Sequence, residues 1–479
     1  MKRISLSLLA VLIVFIGILF VNYFRFAPQN DEIMVSTMDI AAIEGYKERI
    51  AQSIQYQTIS YEDTSLIDYN EFCRFHEFLK SNFPIVFEKL SFELVNAYSI
   101  LLKWEGSDSS LKPGILMAHQ DVVPVAPETE DLWLHPAFDG VIVNDTLYGR
   151  GTVDNRINLM AQMEALNYLL QQDFRPQRDI YFVFGHDEEI GGKQGALEVA
   201  KHLKAKGIEA EFVLDEGGFV STKLVPGMQN PVAMIGTSEK GHVDVELSVQ
   251  LDGGHASMPE KDNAIGVLSK AIADLSNTPF PASLSPSVND FLDHIAPYAG
   301  FVNRLAMSNR WLFKPMIFKT YSKTAPADAT IRTTMVPTII KGGVKNNVVP
   351  DIAIANINLR ILPGTGIADV EAHIERAINN PLVNVRVKDG GQEASGVSPI
   401  DTESFRQIVR CIQTNFEDVI PAPFLMVATT DSRHFDIISN NIYKFSPMID
   451  PAAFHGVNEF LDLKTYPKAI GFYVDFLKN

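Results

Sequence analysis

The sequence is poor in cysteine and in positive charge, and each shortage excludes a class of protein. Only two cysteines, Cys73 and Cys411, occur in 479 residues. They lie far apart and form no CxxC pair, which argues against a thiolate metal site and a disulfide framework. Asp and Glu outnumber Lys and Arg by 58 to 41, a formal net charge of −17. Because nucleic acid selects a basic surface, this charge argues against a nucleic-acid partner, and equally against a polybasic attachment to anionic lipid.

The overall composition is that of an ordinary globular protein. Hydrophobic residues make up 46% of the chain and charged residues 21%, both close to the usual values. A chain of 479 residues is too long for one ordinary core, so two or three domains are expected. No internal repeat and no low-complexity segment is present.

The N-terminus differs in kind from the rest. Lys2 and Arg3 precede an apolar run from about Ile4 to Phe24, close to the roughly 20 residues that cross a bilayer as a helix. No small-x-small cleavage site follows the run. The segment therefore predicts an uncleaved signal anchor that holds the body of the protein outside the cytoplasm, with a cleaved signal peptide and secretion as the alternative.

Short apolar strands alternate with helices between residues 114 and 215. We predict strands at 114–118, 179–184 and 211–214, and helices at 39–53, 68–82, 158–171 and 194–206. Continuous apolar strands that alternate with helices are typical of a mainly parallel sheet covered on both faces, an α/β fold. Ligands of such sheets gather at the carboxyl ends of the strands.

From about Gly241 polar and apolar residues alternate instead, as in a sheet with one solvated face. Strands predicted at 242–251, 336–342, 352–361 and 383–387, with helices at 264–275 and 367–379, follow the β-α-β-β-α-β order of a split βαβ sandwich. We therefore predict an α+β lid or dimerisation-type domain at 239–392, inserted between two parts of a catalytic domain at 28–238 and 393–479. Residues 1–27 hold the anchor helix and the start of a linker.

Metal-type side chains lie in five short segments, most of them where a predicted strand ends. The segments are 117–121, 149–154, 186–189, 214–218 and 454–456. Two histidines and three acids can hold two divalent metals, and an additional carboxylate can move the proton of a metal-activated water. The pattern is that of a metal-dependent hydrolase.

Two of these segments carry adjacent acids. Three acids in a row, Asp187 to Glu189, follow a buried strand, which is costly unless a cation is present. One carboxylate can then bind metal while its neighbour, its pKa raised by its surroundings, serves as base and acid. Asp215 and Glu216 repeat this arrangement at the next strand end, and the spacing does not decide which of the two is the ligand.

Taken in order, the five segments resemble the dinuclear zinc hydrolases of the aminoacylase and carboxypeptidase family, and most of all its carboxypeptidase S and N-acyl-amino-acid hydrolase/synthase branch. The resemblance runs from about residue 40 to the C-terminus. It implies two Zn²⁺ ions, for which cobalt or manganese can substitute. The implied ligands are His119 with Asp215 or Glu216 for one metal, Glu189 with His455 for the other, and Asp154 as the bridge.

The same resemblance implies two catalytic roles and one backbone feature. Asp121 would orient His119, and Glu188 would be the general base. The bridging Asp of the family precedes a cis peptide bond, which here would join Asp154 to Asn155. The family usually has a second Asp where this chain has Asn155, so the acidity beside the ligand differs.

Three residues of the inserted domain resemble substrate-contacting residues of the family. His255, in the segment 253–259, resembles a lid histidine that polarises the scissile carbonyl. Asn347 resembles an asparagine that contacts substrate, and Arg360 an arginine that reads a substrate carboxylate, a contact suited to a planar guanidinium. Taken alone, the three read as a surface His, a turn Asn and a strand-edge ion pair. Residues 429–433 are expected to line the pocket.

These features predict a membrane-anchored or exported zinc amidohydrolase that cleaves an amide next to a free carboxylate, as a carboxypeptidase or dipeptidase on small peptides. The alternative within the family is an N-acyl amino acid hydrolase/synthase, for which the aromatic stretch 280–318 would supply a lipophilic wall. A non-catalytic protein of the same fold that binds peptides or acyl amino acids is the alternative of another class, and the intact Glu188 argues against it. A monomer and a homodimer are both compatible with the sequence.

Overall fold

Two separate β-sheets organise the chain, and the computed structural model describes them within residues 2–26, 36 and 38–479. The larger, here called the main sheet, is mixed. Its strands lie in the spatial order Ser91–Val95, Ser99–Trp104, Ile180–Gly185, Gly114–His119, Phe212–Asp215, Ile442–Lys444, Val232–Glu239 and Ile420–Met426, and Val220–Ser221 pairs beside Val232–Glu239.

The centre of the main sheet is parallel, as the apolar runs predict. Gly114–His119 pairs in parallel with both Ile180–Gly185 and Phe212–Asp215, and Ile442–Lys444 extends the parallel part. The strands Gly114–His119 and Ile180–Gly185 are buried along their whole length, because helices cover both faces. The strands at the Ser91 edge pair antiparallel, which makes the whole sheet mixed.

Helices pack on both sides of the main sheet and form a hydrophobic core with each face, of which one is the largest core among the described residues. They are Tyr46–Ser53, Tyr69–Asn82, Pro84–Lys89, Ile157–Gln171, Ala196–Ala205, Glu403–Asn415 and Tyr466–Lys478. The helix predicted from residue 39 is wrong at its start. A 3-10 turn, Ile40–Ala42, stands there instead, and Gly45, at φ +74°, separates it from the helix proper.

The second sheet, here called the lid sheet, is antiparallel. Its order is Thr334–Gly342, Ile352–Ile361, Gly241–Gln250 and Asn384–Val387, and the helices Ala264–Asn277 and Ile367–Ile378 pack against it. The chain order of these six elements is the predicted β-α-β-β-α-β, so the predicted fold class, an α/β main part with an α+β insertion, is confirmed. A two-stranded ribbon, here called the lid ribbon, joins Gly254–His255 to Val348–Val349.

Four further helices interrupt the lid sequence, and they pack elsewhere. They are Pro286–Ile295, Phe301–Ser308, Arg310–Tyr321 and Ala325–Ile331. The first lies against the main-sheet strand Ile420–Met426, and all four contribute to a core shared with that strand and with Val232–Glu239. These four helices therefore form a helical layer beside the main sheet.

Two peripheral elements bear on function. A helix spans Lys2–Arg25, and its part from Ser7 to Arg25 is apolar and long enough to cross a bilayer, a property that secretory signal sequences share.

A small sheet of Val141–Val143, Thr146–Tyr148 and Phe460–Asp462 brings the C-terminal loop around residue 455 against the loop at 149–154.

Candidate metal centre

His119 ends a central strand of the main sheet, and its imidazole is held from both sides. The side chain is 1% exposed. Nδ1 lies 3.0 Å from the carbonyl oxygen of Asp121 and 3.3 Å from its Oδ1, while Nε2 lies 3.0 Å from Asp154 Oδ1 and 3.1 Å from Glu216 Oε1. Nε2 therefore points into a group of carboxylates, the arrangement of a metal-binding histidine whose other nitrogen is fixed by its neighbours.

His455 approaches the same carboxylate from the opposite side. Its Nε2 lies 3.0 Å from Asp154 Oδ2 and 3.1 Å from Glu189 Oε2. Each oxygen of Asp154 thus faces a different imidazole, and two groups of three ligands, His119–Asp154–Glu216 and Asp154–Glu189–His455, share that carboxylate. The structure brings together residues separated by more than three hundred positions, as the sequence predicts for the two ends of the cluster.

A buried carboxylate, Glu459, holds the backbone that carries Asp154. It accepts hydrogen bonds from the backbone N–H groups of Gly151, at 3.1 Å, and Val153, at 2.9 Å, and pairs with Arg150 Nη1 at 2.7 Å. Arg150 also donates to the carbonyl oxygen of His455 at 3.1 Å. One ion pair therefore ties the loops of Asp154 and His455 together.

The peptide bond between Asp154 and Asn155 is cis, as the family resemblance predicts. The side-chain atoms Oδ1 and Nδ2 of Asn155 are buried and have no hydrogen-bond partner among the described residues. The exchange of the usual Asp for Asn155 is therefore accommodated without a new polar contact at this position.

The two adjacent acids at the end of strand Phe212–Asp215 point in different directions. Glu216 reaches His119, whereas the carboxylate of Asp215 accepts backbone N–H bonds from Glu216 and Ser432, each at 2.8 Å. The structure thus distinguishes Asp215 from Glu216 as the candidate metal ligand, a choice that the sequence left open. Glu216 belongs to the cluster, and Asp215 fixes the turns beside it.

Asp121 holds several groups of the cluster in position. Its carboxylate accepts hydrogen bonds from Ser60 Oγ at 2.6 Å and from the backbone N–H groups of Glu188, at 3.1 Å, and Glu189, at 3.0 Å, besides its contacts with His119. The same group therefore orients the imidazole and the turn that carries the two glutamates.

The carboxyl groups of this site have strongly shifted pKa values. Burial, reinforced by the Asp154 carboxylate, raises the pKa of Glu189 to about 7 and that of Glu216 to about 8. Burial also raises the pKa of Glu188 well above its ordinary value, with Glu216 and Asp431 adding to the effect. The pKa of His455 is also raised, to about 10, because its contacts with Asp154 and Glu189 stabilise the protonated imidazole.

These shifts, together with an unsatisfied oxygen atom, test whether the site fits a metal ion. Four carboxylates crowd one cavity, and Glu189 Oε1 is buried without a hydrogen-bond partner among the described residues. A divalent cation removes both penalties, since it neutralises the charge and accepts the free oxygen as a ligand. Imidazole and carboxylate are also the donor set that zinc-type ions take. The residues present therefore fit a metal centre.

The cluster forms one end of a cavity of about 400 Å³ whose remaining wall is largely apolar. Glu188, Glu189, Asp154, Glu216 and His455 line the polar end, and Thr429 and Thr430 line the side, as expected for the segment 429–433. The apolar wall includes Phe219, Val225, Met234, Val288, Phe291 and Phe424. The cavity thus joins a metal-binding end to a chamber that suits an apolar group.

The three residues predicted in the inserted domain lie outside this cavity. His255 is exposed in the lid ribbon, where its Nδ1 lies 2.7 Å from Ser257 Oγ. Asn347 is exposed beside it, and its carbonyl oxygen accepts the N–H of Ala256 at 3.1 Å. Arg360 stands in the lid sheet opposite His242, where burial and the neighbouring Arg433 lower its pKa. The structure brings His255 and Asn347 together but leaves them apart from the metal ligands.

Sequence reasoning missed two residues that hold the site in place, Glu459 and Ser60. Glu459 follows His455 by four positions, so an acid close to the last histidine was available as a signal. Nothing in the sequence around Ser60 connects it with Asp121, because the contact spans 61 positions.

Comparison with known proteins agrees with this geometry. Two ligand triads that share one carboxylate are the arrangement expected of a metal-dependent hydrolase. Residues 115–479 match the model of peptidase family M20/M25/M40, and the chain belongs to that family.

Relatives and solved structures cover nearly the whole chain. A probable carboxypeptidase S-like 2 of Dictyostelium discoideum is 37% identical over 97% of this chain and 92% of its own length. The N-fatty-acyl-amino acid synthase/hydrolase PM20D1 of Mus musculus is 34% identical over 90% of this chain and 87% of its own. The fold is similar to that of the metallo-carboxypeptidase Sso-CP2 from Sulfolobus solfataricus (TM-score 0.66, 18% identity, 92% and 99% coverage). It is equally similar to that of human carnosine dipeptidase 1 (TM-score 0.66, 15% identity, 91% and 96% coverage).

Proposed function

We propose that the protein is a dinuclear zinc amidohydrolase that cleaves an amide bond next to a free carboxylate. The observation that carries this proposal is the shared carboxylate of Asp154, which has one oxygen beside His119 and the other beside His455. His119 and Glu216 would hold one ion, Glu189 and His455 the other, and Asp154 both. Two bound ions would supply an activated water and polarise the substrate carbonyl.

Glu188 is the proposed proton carrier. It lines the cavity next to both ligand triads, and its raised pKa suits a group that accepts a proton from the attacking water and later releases it. The carboxylate would return this proton to the nitrogen of the departing amine as the amide bond breaks. Because Asp121 holds the backbone N–H of Glu188, it would position the base as well as His119.

His255, Asn347 and Arg360 are proposed to complete the site by closure of the lid. In the open arrangement His255 and Asn347 are exposed, so the lid ribbon must approach the cavity before His255 can donate to the carbonyl oxygen. Lids commonly close in this way. Arg360 would then meet the substrate carboxylate, and its neighbour Arg433 would add positive charge on that side.

Two substrate classes fit this chemistry, small peptides and N-acyl amino acids. The curated relatives include a probable carboxypeptidase and an N-fatty-acyl-amino acid synthase/hydrolase. The largely apolar chamber beside the metal ligands favours the second class, because a peptide backbone would leave amide groups without partners there. We therefore propose N-acyl amino acids with long acyl chains as the preferred substrates and peptides as the alternative.

The proposal is tested by a matched substrate panel. The purified full-length protein, loaded in turn with zinc, cobalt and manganese, is given an N-hexadecanoyl amino acid, the N-acetyl derivative of the same amino acid, and a dipeptide that ends in it. We expect the fastest turnover on the long-chain compound. Faster hydrolysis of the dipeptide would establish the peptidase reading, and binding without turnover of any compound would establish a non-catalytic binding protein.

Paired variants in the chamber wall sharpen this test. Ala327 lines the chamber on the helix Ala325–Ile331, so Ala327→Phe should obstruct a long chain while leaving the metal ligands untouched. We expect the long-chain substrate to lose more activity than the N-acetyl compound. Ala327→Ser, which adds little volume, is the control and should hydrolyse both like the wild type.

We also propose that the N-terminal helix anchors the protein with the catalytic part outside the cytoplasm. Its apolar length supports this placement, and Lys2 and Arg3 at its start would remain on the cytoplasmic side. Detection of residues 1–26 in the mature membrane-bound protein by mass spectrometry is the test. Loss of these residues from a secreted product would establish the alternative, a cleaved signal peptide.

A further inference from the structure

The N-terminal helix packs against two helices of the catalytic part. These helices, Phe301–Ser308 and Arg310–Tyr321, are here called the hairpin helices. Asn22 Nδ2 donates to Asn309 Oδ1 at 2.9 Å, and Asn309 Nδ2 donates to the carbonyl oxygen of Leu19 at 3.1 Å. Such paired amides are typical of helix contacts in lipid, where an unsatisfied polar group is costly.

Aromatic side chains extend this contact along the N-terminal helix. Phe15 meets Trp311 edge to face with ring centroids 5.9 Å apart, and Tyr23 lies 5.4 Å from Phe301. Arg304 stacks over Tyr23 and donates to its carbonyl oxygen at 3.1 Å. Wherever residues 15–23 lie relative to a bilayer, the hairpin helices lie beside them.

The outer surface of the hairpin helices is apolar and unusually exposed. The exposed fractions are 54% for Phe301, 63% for Val302 and 60% for Trp311. Large apolar groups that cluster on a surface in this way mark an interaction site. The surface is continuous with the N-terminal helix, whose residues from Ser7 to Arg25 are also not buried.

The charge of the same segment is opposite to that of the whole chain. No Asp or Glu occurs from residue 294 to residue 327, whereas five basic residues do: Arg304, Arg310, Lys314, Lys319 and Lys323. In a chain of net charge −17 this is a local exception. Basic and aromatic helices without acids are typical of segments that lie in the interface of an anionic membrane. A second copy of this acidic chain could also bind these basic residues. Such a partner would not explain why the apolar N-terminal helix adjoins them, whereas a membrane would.

The inner surface of the hairpin helices leads to the catalytic chamber. Met307, Ile317 and Tyr321 are buried in the same core as Val288 and Phe291. Tyr321, Val288 and Phe291 also line the chamber. A single helical layer therefore has an exposed apolar face on one side and the wall of the chamber on the other.

We propose that the hairpin helices lie in the membrane interface beside the N-terminal helix and that acyl substrates pass from the bilayer into the chamber along this layer. The proposal rests on the proposed amidohydrolase function and adds the route by which a lipid-like substrate arrives. An acyl chain that moves directly from lipid to the apolar chamber avoids the cost of exposure to water.

The first test is the depth of Trp311 in a membrane. Full-length protein is reconstituted into phosphatidylcholine vesicles that contain phosphatidylserine, with or without bromine-labelled acyl chains, and tryptophan emission is recorded. The other tryptophans are Trp104 and Trp133. We expect brominated lipid to quench the wild type and the quenching to be largely lost in Trp311→Phe, which keeps an aromatic ring against Phe15. Equal quenching of the two proteins would overturn the proposal.

The second test separates delivery from chemistry. Phe301→Ser combined with Trp311→Ser changes only exposed side chains, and Leu66→Ser, at a position 62% exposed on another element, is the matched control. With substrate dissolved in the vesicles, we expect the double variant to lose about tenfold on an N-hexadecanoyl amino acid because its contact with lipid is weaker. It should hydrolyse the water-soluble N-acetyl compound like the wild type.

The remaining outcomes are distinct. Unchanged long-chain activity in the double variant, or an equal loss on both substrates, would overturn membrane delivery while leaving the proposed hydrolase intact. If the wild type hydrolyses neither substrate, the proposed preference for N-acyl amino acids fails and delivery fails with it. In that case the quenching of Trp311 still establishes or refutes the contact of the hairpin helices with lipid.

Discussion

The lid ribbon and the ligand cluster at the carboxyl ends of the central main-sheet strands each contain a histidine, in opposite settings. His119 is buried, with both ring nitrogens fixed by neighbours, whereas His255 is exposed and contacts a serine two residues away. In the proposed mechanism, His119 is in place for a metal before substrate arrives, whereas His255 requires a movement of the lid. Substitutions in the two regions should therefore have different effects on metal content and on turnover.

Glu188→Gln should have the largest effect on activity. Glutamine keeps the size of the side chain but cannot accept the proton, so kcat should fall about 10³-fold, as for loss of a general base. Metal content, measured by atomic emission, should stay at the wild-type level because Glu188 lies outside both ligand triads.

Glu189→Gln is the control for that experiment. It changes a side chain that contacts His455, so it should lower metal content as well as turnover. If Glu188→Gln instead lost its metal and Glu189→Gln kept it, the two glutamates would have exchanged roles.

His255→Ala should affect turnover alone and so sharpen the contrast between the two regions. Loss of one donor to the carbonyl oxygen lowers kcat by about 10²-fold to 10³-fold. Metal content and the midpoint of thermal unfolding should not change, because the side chain is exposed. Ser257→Ala, which removes only its hydrogen-bond partner, should cost far less. Wild-type activity of His255→Ala would exclude the lid from catalysis.

Glu459→Gln should lower the affinity for metal and leave the lid unchanged. The carboxylate holds the backbone N–H groups next to Asp154 and pairs with Arg150, and loss of such an outer partner typically lowers metal affinity by about 10-fold to 100-fold. Competition with a fluorescent zinc chelator measures this. Glu403→Gln, an exposed glutamate paired with Arg410, is the control and should bind metal like the wild type. Unaltered affinity in Glu459→Gln would show that the loop is held by other contacts.

The smallest expected effect is a pH dependence confined to the metal-free protein. Glu189 and Glu216 have pKa values of about 7 and about 8 in the folded protein, above the ordinary 4.5, and His455 has one of about 10, above 6.5. All three hold protons in the folded state that the unfolded chain releases, so stability must fall as pH rises. The unfolding midpoint of the metal-free protein should therefore decrease from about pH 5 to about pH 9.

Bound zinc should remove this trend, because ligands that coordinate metal have already lost their protons. Glu216→Gln should flatten the slope of the metal-free protein, since it deletes one of the three groups. An unfolding midpoint that rises with pH in the metal-free protein would contradict the assignment of protonated carboxyls to the cluster.

The sequence predicted the parallel strands at the centre of the main sheet and missed Val232–Glu239 and Ile420–Met426 on one side of it. The strand Gly114–His119 is a continuous apolar run, and its end fixes His119. The strand Ile420–Met426 contains Pro421 and Pro423, which weigh against a strand inside a sheet. Its place next to Val232–Glu239 depends on packing between residues almost two hundred positions apart, which local patterns do not contain.

The same limit applies to the candidate site. The residue types and the five segments follow from sequence, because acids and histidines at strand ends are few and costly. The choice between Asp215 and Glu216 does not, since adjacent residues at a strand end point to opposite sides and only the fold decides which side holds His119. The position of Glu459, more than three hundred residues beyond Arg150, is equally invisible before the chain has folded.

The order of the ligands along the chain also governs when the protein can become active during its synthesis. His455 and Glu459, which complete the second triad and lock the Asp154 loop, are translated more than three hundred residues after His119. A nascent polypeptide released before residue 455 would lack both. Ribosomes that stall or terminate early would therefore yield fragments without a complete ligand cluster.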